Sequence, residues 1–201
     1  IVETITVKQT RFANAISRVS DYISENMHWS NQLQFASCPS AFLRVLNKEP
    51  ESDELFSLAN LLQIEMSNDC PKVSHLIQLL RDLREREDVT KTVIFTHWRP
   101  TFYQLRDLLK LEGFSVYSVD PKQSESSDNS RTIKKFEESE GYAVLVVTDM
   151  MNEGIDLHMA NTMVNMDLPY NPAKLQQRIG RLDRFIQDSK FIEIYNLVLE
   201  D

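Results

Sequence analysis

The chain has 201 residues, of which 42% are apolar and 26% charged, and it is long enough to bury one large core. This composition excludes collagen-like, low-complexity and wholly disordered chains, and no apolar run approaches the roughly 20 residues of a membrane-spanning helix. The net charge of −8 disfavours a free-standing nucleic-acid-binding module, because an acidic surface repels polyphosphate. The two cysteines cannot form a disulfide framework, so a reduced, cytoplasmic setting without a membrane is expected. The opening Ile1-Val2-Glu3 is no signal peptide and suggests a piece cut from a longer protein.

The first seventy residues are predicted to form a helical extension. Apolar residues recur at helical spacing in three stretches, and a polar segment at 47–53 separates the first two. The stretches are Phe12, Ile16, Val19 and Ile23, then Leu55, Leu58, Leu61 and Leu62, then Val73, Leu76, Ile77, Leu80 and Leu83. The third follows Cys70-Pro71, so we place a boundary there, with a second domain over 71–201.

From Lys91 onward, strands and helices alternate. Short apolar runs predict strands at 93–95, 114–119, 142–147, 162–166 and 191–199, and amphipathic segments predict helices at 100–112, 130–138 and 172–186. Gly113 would stop the first of these helices. The alternation predicts an α/β fold with a mostly parallel sheet flanked by helices.

Three polar stretches each follow a predicted strand directly. They are Thr96–Arg99, Thr148–Asp156 and Asp167–Pro172. In a parallel sheet such loops meet along one edge, where open α/β folds bind ligands. Within the second stretch, Asp149 is interpreted as a turn former.

The helix after the third stretch has two faces. Leu175, Ile179, Leu182 and Ile186 form its apolar stripe. Gln177, Arg181 and Arg184 repeat the same spacing about 200° around the helix, so they point away from the core together. Gly180 costs about 1 kcal/mol relative to Ala in a helix, which suggests a close approach of backbone or ligand. The face could be merely solvated, or its arginines could offset charge on a phosphate.

Two of these segments resemble sequence motifs of superfamily 2 helicases and translocases. Gln177–Arg184, which reads QRIGRLDR, resembles motif VI, and the stretch from Thr148-Asp149 to Gly154-Ile155-Asp156 resembles motif V. Val93–Thr96 is similar to motif IV. The run DLPYNP at Asp167–Pro172 is most similar to the SWI/SNF-type branch, particularly its bacterial RapA-like members. The similarity covers about residues 70–201, the second RecA-like lobe.

The resemblance implies roles for particular residues. Arg181 and Arg184 would be arginine fingers reaching the γ-phosphate of ATP, and Gln177 would line the same cleft. Gly154 and Asp156 would shape the motif V loop at the nucleotide. Thr96, His97 and Thr148 would contact the nucleic-acid backbone. The partner would be double-stranded DNA, in a translocase that is nucleoid-associated if RapA-like.

The sequence contains no Gly-x-x-x-x-Gly-Lys-Ser/Thr phosphate loop. The resemblance therefore implies that ATP and Mg²⁺ are held mainly by a first RecA-like lobe of the same polypeptide, and that the isolated chain is inactive as an ATPase. No metal site is expected here. An RNA helicase lobe of DEAD-box type and a non-catalytic RecA-like module that binds protein partners are the alternatives. A dinucleotide-binding domain is disfavoured because no Gly-x-Gly-x-x-Gly follows a predicted strand.

Overall fold

The computed structural model describes residues 1–7, 20–25, 27–46, 71–119, 126–149, 155–183 and 191–199. Within these ranges the strands are β1 (Val2–Val7), β2 (Lys91–Thr96), β3 (Ser115–Ser118), β4 (Ala143–Thr148), β5 (Thr162–Asn165) and β6 (Glu193–Leu199). The helices are α1 (Trp29–Ser37), α2 (Pro39–Leu46), α3 (Pro71–Arg84), α4 (Arg99–Leu111), α5 (Ser126–Glu137) and α6 (Pro172–Leu182). Residues 20–25 are also helical. The predicted stretches around Phe12 and Leu55 lie outside the described residues.

The six strands form one sheet in the order β1-β6-β5-β2-β4-β3, and every neighbouring pair is parallel. This confirms the predicted α/β fold. Every residue of β2 and of β4 is buried, as is typical of parallel strands that helices cover on both faces. The central position of β2, between β4 and β5, brings the ends of these three strands side by side.

Alternate residues of the central strands point to opposite faces of the sheet and pack in two separate apolar cores. On one face, Ile94 and Val146 pack among apolar residues of α3 and α4. On the other face, Phe95 and Val147 pack among residues that include Phe136 of α5 and Leu182 of α6. The apolar spacing that predicted α3 is confirmed, since Val73, Leu76, Leu80 and Leu83 are its buried apolar positions.

Strand β1 corrects the prediction of an all-helical start. Val2–Val7 pairs in parallel with β6, in a register that sets Val7 opposite Leu199. Five of its six residues are at least partly exposed, because β1 is the edge strand. The sheet therefore includes residues from before the boundary placed at 70, and that boundary as a division between domains remains a prediction.

Helices α1 and α2 contact the sheet domain through α4. The Ser37 hydroxyl lies 2.9 Å from the Thr101 hydroxyl, and both side chains are buried. Ser40 accepts a hydrogen bond from the Gln104 amide nearby. Two buried polar pairs thus fix α1 and α2 against α4, since separating them would leave these groups unsatisfied.

The sequence predicts where two of the helices end. Helix α4 ends before Gly113, whose φ of +78° is the left-handed conformation that glycine adopts without strain, as predicted. Helix α6 ends at Leu182, because Asp183 has the extended dihedrals φ −77° and ψ 92°. The helix predicted to run to Ile186 is therefore interrupted at Asp183, and Arg184 lies outside the described residues. In the described ranges, no helix is both long and apolar enough to cross a membrane.

Candidate nucleotide and nucleic-acid site

The three polar stretches meet at one edge of the sheet, as predicted. They follow the carboxyl ends of β2, β4 and β5, which are neighbours. Thr96 Oγ1 donates to Asp167 Oδ2 at 2.6 Å, and His97 Nδ1 lies 3.1 Å from Asp149 Oδ2. The loop after β2 is thereby bonded to the loops after both of its neighbours.

Arg178 of α6 is the centre of this edge. Its side chain is 2% exposed, and its Nε and Nη2 each donate to the Asp149 carboxylate at 2.7 Å. Its Nη1 donates to Asn165 Oδ1 at 2.7 Å and to the Asp167 carbonyl oxygen at 2.8 Å. The guanidinium also lies 5.2 Å from the centroid of the Phe95 ring, within cation–π range. One buried arginine therefore joins α6 to the ends of β4 and β5.

The Asp149 carboxylate is held in its charged form. Burial would raise the pKa of Asp149, but hydrogen bonds from His97 and Arg178, together with the positive charge of Arg178, outweigh burial and hold this pKa well below its ordinary value. The interpretation of Asp149 as only a turn former is therefore wrong. Asp149 is the anionic partner of a buried bidentate ion pair, the strongest geometry for an arginine and a carboxylate.

Asp167 forms a second buried junction. It is 9% exposed and accepts from Thr96 Oγ1 and from the His97 backbone N–H, the latter at 3.0 Å. The Lys72 ammonium, itself buried, lies 3.9 Å from Asp167 Oδ1 and donates to the Met166 carbonyl oxygen. Helix α3 is thereby connected to the same edge of the sheet.

The three residues predicted to contact nucleic acid differ in exposure. Thr96 and Thr148 are fully buried, so their side chains do not face solvent. His97 is 42% exposed and its ring packs edge-on against Trp98, with centroids 4.8 Å apart. Of the three, His97 presents its side chain at the surface.

The exposed face of α6 carries the residues predicted for the nucleotide. Gln177 is exposed, Arg181 is half-buried, and both line a pocket of about 30 Å³ together with Lys174, Arg178 and Asp149. Asn171 caps the helix by accepting from the Ala173 N–H at 2.9 Å, and Pro172 occupies its first turn. The local sequence therefore fixes where α6 starts, and the Arg178–Asp149 pair fixes how it is rotated.

The remaining predicted residues are placed less completely. Asp156 Oδ1 accepts from the His158 N–H at 3.2 Å, and the neighbouring Leu157 N–H donates to the Arg181 carbonyl oxygen at 2.9 Å. The motif V loop thus touches α6 at Arg181. A Cβ on Gly180 would meet no described atom within 4 Å, so the described part of the chain does not supply the expected close approach. Gly154 and Arg184 lie outside the described residues.

Sequence reasoning missed Arg178, Asp149 and Asp167 as the residues that organise the site. The signal for Arg178 was its position three residues after Leu175 and four before Leu182, which puts it on the apolar stripe. A cation at such a position needs a buried anion.

A parallel α/β sheet with polar loops and an arginine-bearing helix at its carboxyl edge matches the RecA-like fold. The family model described as the helicase conserved C-terminal domain matches residues 71–186, more than half of the chain. The chain belongs to this family, the C-terminal lobe of superfamily 2 helicases and translocases.

Individual relatives agree with this assignment. The chain is 29% identical to the uncharacterized ATP-dependent helicase YqhH of Bacillus subtilis (strain 168), over 98% of this chain and 36% of that protein. It is 34% identical to the RNA polymerase-associated protein RapA of Sodalis glossinidius (strain morsitans), over 65% of this chain and 13% of that protein. The resemblance to RapA-like proteins is thereby confirmed. The chain spans about a third or less of the length of these curated relatives.

Two solved structures share the fold. The C-terminal part of the Fun30 ATPase domain has a TM-score of 0.68 at 16% identity, over 100% of this chain and 85% of that one. The C-terminal domain of the DEAD-box protein Dbp5 has a TM-score of 0.53 at 27% identity, over 65% of this chain and 71% of that one.

Proposed function

We propose that this chain is the second lobe of an ATP-dependent translocase acting on double-stranded DNA. In the proposal, Arg181 and Arg184 reach across a cleft to the γ-phosphate of ATP bound by a first lobe of the same polypeptide. The observation that carries the proposal is the pocket beside Asp149, where Lys174, Gln177 and Arg181 gather on the exposed face of a helix that a buried ion pair holds in place.

The described residues suit the phosphates of ATP better than its Mg²⁺. Lys174 and Arg181 supply positive charge and Gln177 supplies an amide, which are groups that bind phosphate oxygens. The one carboxylate in the pocket, Asp149, is already bound by Arg178 and His97. Mg²⁺ would therefore be held mainly by the first lobe, where it would neutralise phosphate charge during transfer of the γ-phosphoryl group to water.

Each residue of this lobe has a distinct task in the proposal. The Arg181 guanidinium offsets negative charge that develops on the γ-phosphate, and Arg178 orients Arg181 by fixing α6 without touching the substrate itself. Gly154 and Asp156 shape the motif V loop, which contacts α6 through Leu157. On the nucleic-acid side, His97 would contact a backbone phosphate, while Thr96 and Thr148 support the strand ends behind it. The two lobes would close when ATP binds and open after hydrolysis, and this cycle would shift their contacts with the backbone along the duplex.

The proposal is tested by the ATPase activity of the full-length protein. Arg181→Ala should lower kcat by about 10³-fold, as loss of an arginine finger does, while the affinity for ATP changes far less. Arg131→Ala is the matched control, because Arg131 is an exposed arginine on α5. Equal losses of ATP affinity and kcat would contradict the finger role. The isolated chain should show no appreciable turnover, since its sequence has no phosphate loop.

Stimulation of the same ATPase separates the nucleic-acid alternatives. Duplex DNA should stimulate hydrolysis more strongly than RNA of equal length, and His97→Ala should weaken that stimulation. Stronger stimulation by RNA would favour a DEAD-box type of lobe. Absence of hydrolysis in the full-length protein under every condition would favour a non-catalytic interaction module.

A further inference from the structure

Exposed apolar side chains are concentrated in one groove beside the candidate site. The described residues include eight large hydrophobic side chains that are exposed, and four of them line this groove: Trp29, Leu33, Leu168 and Tyr170. Its volume is about 440 Å³, within the range of roughly 300–1,000 Å³ typical of ligand pockets. A monomeric soluble protein rarely leaves such a patch uncovered without a use for it.

Three elements build the walls of this groove, which we call the Trp29 groove. Helix α1 contributes Trp29 and Leu33, one turn apart, and the loop after β5 contributes Leu168 and Tyr170. The end of β6 forms the third wall with Leu197–Leu199. The Trp29 and Tyr170 rings contact each other, with centroids 6.5 Å apart and an interplanar angle of 48°, and both remain exposed, Trp29 at 58% and Tyr170 at 93%.

The accessible charge in the Trp29 groove is positive. Lys174 is exposed and lines the groove, and its ammonium carries a full positive charge at neutral pH. The one carboxylate in its lining, Asp167, is buried and accepts hydrogen bonds from Thr96 and His97. This is a local reversal in a chain whose net charge is −8, and it favours a ligand with an anionic group next to its apolar part.

The aliphatic walls favour a protein segment over nucleic acid. A nucleobase inserted among Leu33, Leu168 and Leu197–Leu199 would lose water from its polar edges, and such edges cost free energy unless they are hydrogen-bonded. Leucine and phenylalanine side chains have no such edges. The spacing of Trp29 and Leu33 on α1 suits anchors that recur once per turn on a partner helix.

We propose that the Trp29 groove is a docking site for an amphipathic segment of a partner protein that carries acidic residues beside leucine or phenylalanine anchors. The anchors pack on the exposed surfaces of Trp29, Leu33 and Tyr170, and a carboxylate of the segment pairs with Lys174. This surface is separate from the small pocket assigned to ATP, although Lys174 lines both.

The shared lining residues give docking a physical route to the nucleotide site. His97 lines the groove and is bonded to Asp149, the anion that holds Arg178. A segment that draws Lys174 or His97 toward itself therefore changes the surroundings of Arg181. This effect on hydrolysis rests on the proposed function, whereas the docking itself does not.

Tryptophan fluorescence tests the docking directly, because both tryptophans of the chain line the groove. The probe is a Trp-free helical peptide with leucine and phenylalanine four residues apart and flanking glutamates, titrated into the Trp98→Phe variant so that only Trp29 reports. We expect a saturable blue shift of the emission. Lys174→Glu should weaken binding about tenfold, a change of about 1.4 kcal/mol, and Lys134→Glu on exposed α5 should leave binding unchanged.

Two outcomes would overturn the docking site. They are no saturable shift and equal binding of a peptide whose glutamates are replaced by lysine. The ATPase of the full-length protein, measured without peptide, keeps the two proposals apart. Hydrolysis without peptide binding would overturn only the docking site, and binding without hydrolysis would overturn only the proposed function.

Discussion

Replacing Arg178 with methionine tests whether the buried ion pair holds the site together. Arg178→Met preserves most of the side-chain volume but leaves Asp149, which is 8% exposed, without its bidentate partner. It also removes the donors to Asn165 Oδ1 and to the Asp167 carbonyl oxygen. Removing one member of a buried pair costs about 3–5 kcal/mol, a large share of the roughly 5–15 kcal/mol that stabilises a typical domain.

Urea unfolding of the chain, followed by circular dichroism, measures this loss. For a chain of this size, a slope of about 2–3 kcal/mol per molar urea converts the loss into a midpoint lowered by about 1–2.5 M. Arg131→Met is the control, since the Arg131 side chain is 79% exposed and its loss should change stability by less than about 0.5 kcal/mol. The double variant Arg178→Met/Asp149→Asn should lose at least about 1 kcal/mol less than the sum of the single losses. An Arg178→Met midpoint within about 0.3 M of wild type would refute the reasoning.

Three further predictions concern pH, the helix and the packing of α1. The pKa of Asp149 is lower in the folded state than its ordinary value, so its contribution to stability is complete above about pH 4 and is lost as pH falls toward the folded pKa. The midpoint temperature of thermal melts should therefore decline more steeply between pH 5 and 3 for wild type than for Asp149→Asn. Parallel curves would contradict this. Gly180→Ala should raise stability by about 0.5–1 kcal/mol in urea, because a Cβ there meets no described atom within 4 Å; a loss would indicate a contact in the rest of the chain. Thr101→Val should cost about 1–3 kcal/mol by leaving the buried Ser37 hydroxyl unsatisfied, and an unchanged urea midpoint would show that this bond does not hold α1 in place.

The sequence was most informative where one short pattern decides the structure. Fully apolar runs located β2 and β4 because both of their faces are covered, and Gly113 marked the end of α4. Strand β1 was missed although the run VETITV is rich in β-branched residues. An edge strand has little buried surface, so its pattern is weak beside the helical stretches that follow.

The sequence predicted where the candidate site lies but not which of its side chains bond to one another. Parallel strands bring their carboxyl ends to one edge whatever their order, so the convergence of the three loops followed from the strand pattern alone. The pairing of Arg178 with Asp149 depends on β4 and β5 lying on either side of β2, which is a property of strand order. Residues 29 positions apart give no local signal of such a contact.

The edge position of β1 has a mechanical consequence. The chain leaves the sheet at Val7, which pairs with Leu199 at the end of β6, and it returns to the sheet domain through α3. The point where the chain leaves β1 is therefore paired with a residue in a wall of the Trp29 groove. A force applied at Val7 along the strand would load the β1–β6 ladder in shear, so that several hydrogen bonds would resist together instead of opening one at a time.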